Sequence, residues 1–237
     1  MNKNDSKLPF VFSNFAITAD GKIAFASREF VPFGSKNDHR HMMELRATAD
    51  AIMAGARTVE APGVTMRPGG RKYQRLRLAR GLSEYNLRVI VTGSGSMNLQ
   101  ADIFQSRFSP IIFLVSERVP EKRLQELRGV ANEVGVFGKT EVDLPAALRW
   151  LHQKRKVKRL LCEGGATLHD AVIRAGLLQE LHLTICPKIF GGNTAPTIAD
   201  GGDFVKLAEA TQFKLSSAKR VGNELFAVFK SAKSGLF

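Results

Sequence analysis

Leu160-Leu161-Cys162-Glu163-Gly164-Gly165-Ala166-Thr167-Leu168 is the stretch on which the fold turns. A short apolar strand runs into two glycines and directly into a helix whose Leu168, Ala171, Val172 and Ala175 share one face. Glycine lets a backbone come close to a ligand, and a helix start presents unpaired N–H groups and a favourable dipole. The turn can therefore serve as an anion site for a pyrophosphate. A plain tight strand-to-helix turn fits the same residues equally well. Glu163 would repel a phosphate placed beside it. It suits hydrogen-bond donors on a heterocyclic substrate, or a surface carboxylate in the first helical turn.

Working outward, Val157 to Cys162, Thr167 to Ala175 and Leu181 to Cys186 read as strand, helix and strand joined by short links, a βαβ unit. Leu87-Arg88-Val89-Ile90-Val91 and Ile111-Ile112-Phe113-Leu114-Val115 are near-continuous apolar runs of strand length, the pattern of central strands covered on both faces. Phe10 to Ile17 reads as a strand that stops at Asp20-Gly21, and Ser35 to Asp38 supplies capping chemistry for a helix through Met42, Leu45, Arg46 and Ala49. Ala51 to Ala54 then resumes a buried run. Pro120 opens a helix through Leu124 and Leu127, and Asp143 is placed to cap another that carries Leu144, Ala147, Leu148 and Leu151. Phe213 to Lys219 and Glu224 to Phe229 flank Val221-Gly222-Asn223 as a closing hairpin. The fold class that follows is α/β, with a mixed, mostly parallel central sheet flanked by helices and a C-terminal antiparallel hairpin. Residues 60–86 are polar, basic and punctuated by Gly and Pro, and read as a long functional or mobile loop.

A length of 237 residues fits one large domain over 1–237 with a core of about 8–232, and a hydrophobic share of 44% argues for a packed fold over disorder. No apolar run reaches the roughly 18 residues of a membrane span, and Met1 to Asp5 has no signal-peptide character, so no membrane and a cytoplasmic location are expected. Cys162 and Cys186 cannot build a disulfide framework and read as small buried hydrophobes. The formal charge of +13 raises nucleic acid, anionic lipid and phosphorylated small molecules as partners. Basic residues crowd Arg67 to Arg88 and Lys154 to Arg159 without interleaved stacking aromatics, which favours a solvated basic face over a nucleic-acid platform.

Several chemistries lack their parts. Thr92-Gly93-Ser94-Gly95-Ser96 suits a phosphate or ribose, but Asn98 stands where a dinucleotide fingerprint needs its third glycine. Gly138-Lys139-Thr140 imitates the end of a P-loop, yet Glu133 occupies the leading glycine position. Among His39, His41, His152, His169 and His182 the one close pair is spaced i, i+2, on different faces of a helix, so no metal is implied. Neither a G-x-S-x-G elbow nor a zinc-deaminase signature is present.

Ala19-Asp20-Gly21-Lys22-Ile23-Ala24, Leu45-Arg46-Ala47 through Asp50-Ala51-Ile52, Gly55-x-x-Thr58-Val59, Val64-Thr65-Met66-Arg67, Glu163-Gly164-Gly165-x-Thr167-Leu168, and Leu177 through Pro187 with Gly191-Gly192 occur in this order. Together they resemble the reductase domain of riboflavin biosynthesis, the C-terminal half of the bifunctional deaminase-reductase. The resemblance implies a dihydrofolate-reductase-like three-layer fold and a homodimer. It also implies an NADPH-dependent reductase that converts the ribosyl group of 5-amino-6-(5-phosphoribosylamino)uracil, or its diaminopyrimidinone analogue, to ribityl. The positions it carries over as cofactor contacts are Ala16, Thr58, Gly165, Ala166, Thr167 and Leu168, with Thr92 and Ser94 for ribose or 2′-phosphate. Arg46, Val64, Arg67 and Glu163 match substrate positions, and no catalytic residue is singled out, because the cofactor supplies the hydride. Asp20 matches a turn position for which a structural role is expected. Two departures fall at the active site: Phe30-Val31-Pro32-Phe33 replaces a polar residue followed by Trp, and Glu60-Ala61-Pro62-Gly63 keeps one acid where the family has two. Two alternatives stand beside this reading. One is a same-fold reductase of another heterocycle such as a pterin or dihydrofolate; the other is a non-catalytic basic nucleotide-binding protein.

Overall fold

Strand and helix alternate along the described chain, which comprises residues 7–29, 31–202 and 206–232 of a computed structural model. The order is β1 (Phe10–Thr18), α1 (Lys36–Arg46), β2 (Ala51–Gly55), α2 (Ala56–Val59), α3 (Arg71–Leu78), β3 (Leu87–Thr92), α4 (Asp102–Gln105) and β4 (Ile111–Val115). It continues with α5 (Glu121–Val130), β5 (Glu133–Val136), α6 (Leu144–Arg155), β6 (Arg159–Cys162), α7 (Ala166–Arg174), β7 (Leu178–Cys186), β8 (Phe213–Val221) and β9 (Glu224–Ser231). The strands are mostly parallel and end in an antiparallel hairpin, the fold class expected from the sequence. None of the described helices is long and apolar enough to cross a membrane.

The chain divides into two compact units, Met1–Phe10 with Met43–Leu161, and Val11–Met42 with Cys162–Phe237. In the first unit the strand order is β5-β4-β3-β2-β6. β2, β3, β4 and β5 are parallel, with Gly55 opposite Val91 and Thr92 opposite Val115. All five residues of β4 are buried, as are Ala51 to Ala54 of β2, which is why these runs are apolar without alternation. Ile52, Ile90 and Phe113 pack with Ile103, Phe104, Leu124 and Leu127 in one core cluster. α6 starts where expected: the Asp143 carboxylate accepts the Ala146 amide at 3.0 Å, and Leu144, Ala147, Leu148 and Leu151 are buried.

The basic segment 60–86 departs from the expected loop, because eight of its residues form α3. The helix is organised by a charged residue. Arg77 is fully buried, and its guanidinium donates to the carbonyls of Ser83 (2.8 Å), Arg46 (2.8 Å) and Ala49 (2.5 Å). The Asn86 amide donates to the same Arg46 and Ala49 carbonyls, so two polar side chains tie down the link between the end of α1 and the start of β2. Burial lowers the Arg77 pKa to about 10, against the pull of Asp50. β5 has no strand signal in the sequence; it is four residues long, includes Gly135, and buries none of them fully.

In the second unit the order is β1-β7-β9-β8, with β1 and β7 parallel and β7, β9 and β8 antiparallel to one another in turn. The hairpin turns at Gly222, φ +64°, with Val221 opposite Glu224. α1 opens on Ser35, whose hydroxyl accepts the Asn37 amide at 3.0 Å and donates to Glu224 at 2.5 Å, while the Ser35 amide donates to the same carboxylate at 2.8 Å. A capping residue legible in the sequence is thus fixed by a β9 carboxylate that is not. Cys162 and Cys186 are buried and free, as read, and burial pushes both thiols up to about 12.

Arg77→Leu removes the donors that hold three carbonyls and leaves part of that acceptor set unsatisfied. The expected loss is about 3 kcal/mol of folding free energy, read by chemical denaturation. A loss below about 1 kcal/mol would show that Asn86 alone suffices.

Candidate functional site

The glycine turn sits at the amino end of α7. Gly164 has φ +130° and Gly165 φ +86°, conformations that residues with a Cβ rarely adopt, so the chain can double back from β6 into the helix only with glycine at both places. Gly165 is the N-cap and provides no side-chain cap, and no acidic residue occupies the first turn. The amides of Ala166, Thr167 and Leu168 therefore keep an end that favours an anion. Ala166 and Leu168 are buried, Thr167 is exposed, and Glu163 is half-buried.

What orients this helix end is His169, fully buried one turn in. Its Nδ1 lies 2.7 Å from the Ile198 carbonyl and its Nε2 2.9 Å from the Ser13 hydroxyl on β1. The carbonyl can only accept, so Nδ1 carries the proton and Nε2 accepts from Ser13. Burial holds this imidazole down at about 4, so it is neutral near pH 7. The sequence marks His169 as no metal ligand and assigns it no other role; its signal is its place beside Leu168 and Val172 on α7. Asp170 next to it accepts from Arg174 at 2.6 Å and lies so close to Gly201 that a Cβ there would clash with its carboxylate.

Ala16 lies on β1, half-buried, opposite Thr184 of β7. Asp20, just past β1, accepts from the Thr18 hydroxyl at 2.5 Å and from the amides of Phe190 (3.2 Å) and Gly191 (2.8 Å). The Thr18 bond first, and then the two amides, hold its carboxyl below the usual range against the opposing pull of desolvation. The expected structural role follows: Asp20 ties the end of β1 to the Gly191-Gly192 loop. Of the Phe30 to Phe33 departure, Phe30 lies outside the described residues. Phe33 packs edge-on to Phe190 at 5.0 Å, and Phe25 stacks on the same ring at 4.1 Å.

In the other unit, Thr58 lies in the short helix α2 that follows β2 and Val64 in the loop after it, linked through Ala61, whose amide donates to the Thr58 carbonyl and whose carbonyl accepts the Val64 amide. Thr92 ends β3, and its hydroxyl accepts the Gly95 amide at 3.1 Å; Ser94 is exposed. The two loops are joined, since Glu60 accepts the Asn98 amide at 2.5 Å and Asp102 accepts the Gly63 amide at 2.7 Å. The one acid of the Glu60-Ala61-Pro62-Gly63 run is thus committed to backbone. Thr58, Thr92 and Ser94 lie together beyond the C-terminal ends of two neighbouring parallel strands, where open α/β sheets bind ligands. Arg46 and Arg67 are brought together elsewhere: the Arg46 guanidinium donates to the Arg67 carbonyl at 2.5 Å. Arg67 lies over Phe108, close to the N-terminal ends of β3 and β4. Met66, buried, has φ +58°, a strained conformation for a long side chain, immediately before Arg67.

His41 of α1 and His182 of β7, distant in sequence, meet with ring nitrogens 3.2 Å apart, and His182 continues to Glu180 at 2.7 Å. Burial, then the neighbouring His182 and Lys219, holds His41 down at about 4. Among the described residues no three His, Cys, Asp or Glu side chains converge as a metal site.

Against known proteins, the family model of the RibD C-terminal domain matches residues 9–227. A 2,5-diamino-6-ribosylamino-4(3H)-pyrimidinone 5′-phosphate reductase of Archaeoglobus fulgidus is 36% identical over 220 residues, covering 93% of this chain and 96% of that protein. The enzyme of the same description from Methanothermobacter thermautotrophicus is 34% identical over 223 residues, with 93% and 97% covered. A solved pyrimidine reductase-like protein from Corynebacterium diphtheriae superposes with a TM-score of 0.77 at 23% identity, covering 95% of this chain and 93% of that one, a likeness of fold.

The neutral His169 gives a pH signature. Its folded pKa, about 4, lies below the usual 6.5, so the unfolded chain binds more protons between these values and stability falls as pH drops through that window. Denaturation from pH 7.5 to 4.5 is expected to show a loss of up to about 3 kcal/mol from this group, most of it below pH 6.5. In His169→Phe that slope shrinks, and an unchanged slope would place the proton uptake elsewhere.

Proposed function

The chain belongs to the family of RibD C-terminal domains, and on that premise we propose that it is an oxidoreductase of riboflavin biosynthesis. Its proposed reaction is the NADPH-dependent reduction of the ribosyl group of 2,5-diamino-6-ribosylamino-4(3H)-pyrimidinone 5′-phosphate, or of the related 5-amino-6-(5-phosphoribosylamino)uracil, to ribityl. The observation that carries this reading is the 36% identity to a reductase of that description over nearly the whole of both chains. The diaminopyrimidinone is the preferred substrate because the two relatives above carry that name.

The protein's own geometry fits a nicotinamide dinucleotide. The uncapped, glycine-led and acid-free end of α7 offers the amides of Ala166, Thr167 and Leu168 to a diphosphate, with Gly165 allowing close approach. Ala16, Thr58, Thr92 and Ser94 are the further proposed dinucleotide contacts. When bound, the nicotinamide supplies two electrons as hydride to C1′ of the opened sugar. Arg46 and Arg67 hold the substrate phosphate through permanent charge and paired donors, Glu163 accepts from the heterocycle, and Val64 packs beside it. His169 keeps α7 in register with β1 and so fixes where those amides point. A homodimer is proposed with this reading. β8 pairs only with β9 among the described residues, and its central residues, Leu215 included, are exposed.

Dinucleotide oxidation is measured with the diaminopyrimidinone substrate, its uracil counterpart, dihydrofolate, and no substrate. Turnover with the phosphoribosylaminopyrimidines alone is expected; turnover only with dihydrofolate, or with none, rejects the proposal. Arg46→Ala is expected to raise KM for the phosphorylated substrate roughly 10- to 100-fold, the weight of charge-assisted hydrogen bonds, while KM for NADPH moves less than about twofold. Equal loss of both would refute the phosphate role of Arg46.

A further inference from the structure

Arg67 is exposed, yet among the described residues its side chain makes no ion pair and no hydrogen bond. The contact that restrains its guanidinium is a ring face: its Cζ lies 4.7 Å from the centroid of Phe108. Phe108 is itself held. The Cζ of Arg88 lies 4.3 Å from the same centroid, and the Tyr85 ring stands 5.2 Å away. Arg88 is 1% exposed and donates to the carbonyls of Ile103 (2.9 Å) and Ser109 (2.5 Å), the residues that bracket Phe108. Among the described residues no carboxylate pairs with Arg88 or Arg67; burial and then Arg67 lower the Arg88 pKa to about 10. The Arg67 backbone is fixed independently, by the donor from Arg46 to its carbonyl and by the buried Met66 before it.

We propose that Phe108, braced by Arg88, is a positioning residue that holds the Arg67 guanidinium ready for the substrate phosphate. This rests on the phosphate role assigned to Arg67 above. A guanidinium held over a ring by its charge spends no hydrogen bond on that contact, so its donors stay available for a bidentate phosphate contact. A carboxylate partner would fix the same group by occupying those donors. The ring thus reduces the rotamer freedom that Arg67 loses on binding, and Arg88 adds positive potential that only an incoming anion neutralises.

The test is steady-state kinetics with the phosphorylated ribosylaminopyrimidine and with its dephosphorylated form, using Arg67→Ala, Phe108→Leu, the double variant and Phe108→Tyr. Phe108→Leu is expected to raise KM for the phosphorylated substrate roughly three- to tenfold, the range of a cation–π contact, with kcat within about twofold. KM for the dephosphorylated substrate stays unchanged, and Phe108→Tyr behaves as the parent. In the Arg67→Ala background, Phe108→Leu adds little. Independent, multiplicative effects in the double variant, or no effect of Phe108→Leu where Arg67→Ala raises KM, overturn the positioning role. Arg67→Ala leaving the phosphorylated substrate's KM unmoved overturns instead the phosphate role beneath it. Stepwise ring fluorination at position 108, which weakens the π face at nearly constant shape, decides the matter if Phe108→Leu does not fold. A graded rise in KM supports the proposal and a flat series refutes it.

Discussion

A helix that begins on glycine has no side chain to close its amino end, so something else must fix where that end points. In this protein the constraint is His169. A neutral imidazole one turn into α7 bridges the Ser13 hydroxyl on β1 and the Ile198 carbonyl. Each bond is worth about 1 kcal/mol net, but leaving a buried hydroxyl or carbonyl without its partner costs more. The helix therefore cannot rotate or slide without orphaning both, and the amides of Ala166 to Leu168 hold one orientation. Preorganised donors of this kind act without reorganising when a ligand arrives.

In the unit that contains Met43–Leu161, comparable structural positions are held by arginine. Arg77 and Arg88 are almost fully buried, and the hydrogen bonds they make go to backbone carbonyls instead of carboxylates, with Arg77 Nη2 and Arg88 Nε left without a partner among the described residues. That choice has a consequence for charge. A carboxylate partner would cancel the local field, whereas carbonyl dipoles solvate the guanidinium and leave its net charge in place. Arg88 beside Phe108 and Arg67 thus contributes to a positive region, and the basic excess of the sequence is partly built into the interior.

The departures from the family pattern have physical accounts. Phe33 joins Phe25 and Phe190 in an aromatic cluster, so the apolar replacement packs on its own neighbours. Glu60 accepts a backbone amide from the loop after β3, so a single acid serves to join two loops.

Periodicity and punctuation determined much in advance. The buried strands β2, β3 and β4, the Asp143 and Ser35 caps, the glycine turn into α7 and the closing hairpin each leave a local pattern, an apolar run, a capping side chain or a glycine turn, even where, as for Ser35 and Glu224, a distant partner completes the element. α3 and β5 did not show, because one is organised around a buried Arg77 whose partners lie up to 31 residues away, and the other is four residues with a glycine inside. The candidate site divides in the same way. The Gly164-Gly165 turn was legible from its own residues, and Arg46 and Arg67 only through the resemblance to the family. His169 under α7, the meeting of Arg46 with Arg67, and Arg67 and Arg88 on the ring of Phe108 were decided only by tertiary structure. Those contacts join residues far apart in sequence, and a composition or a period carries no record of which distant side chain will satisfy a buried donor or face a ring.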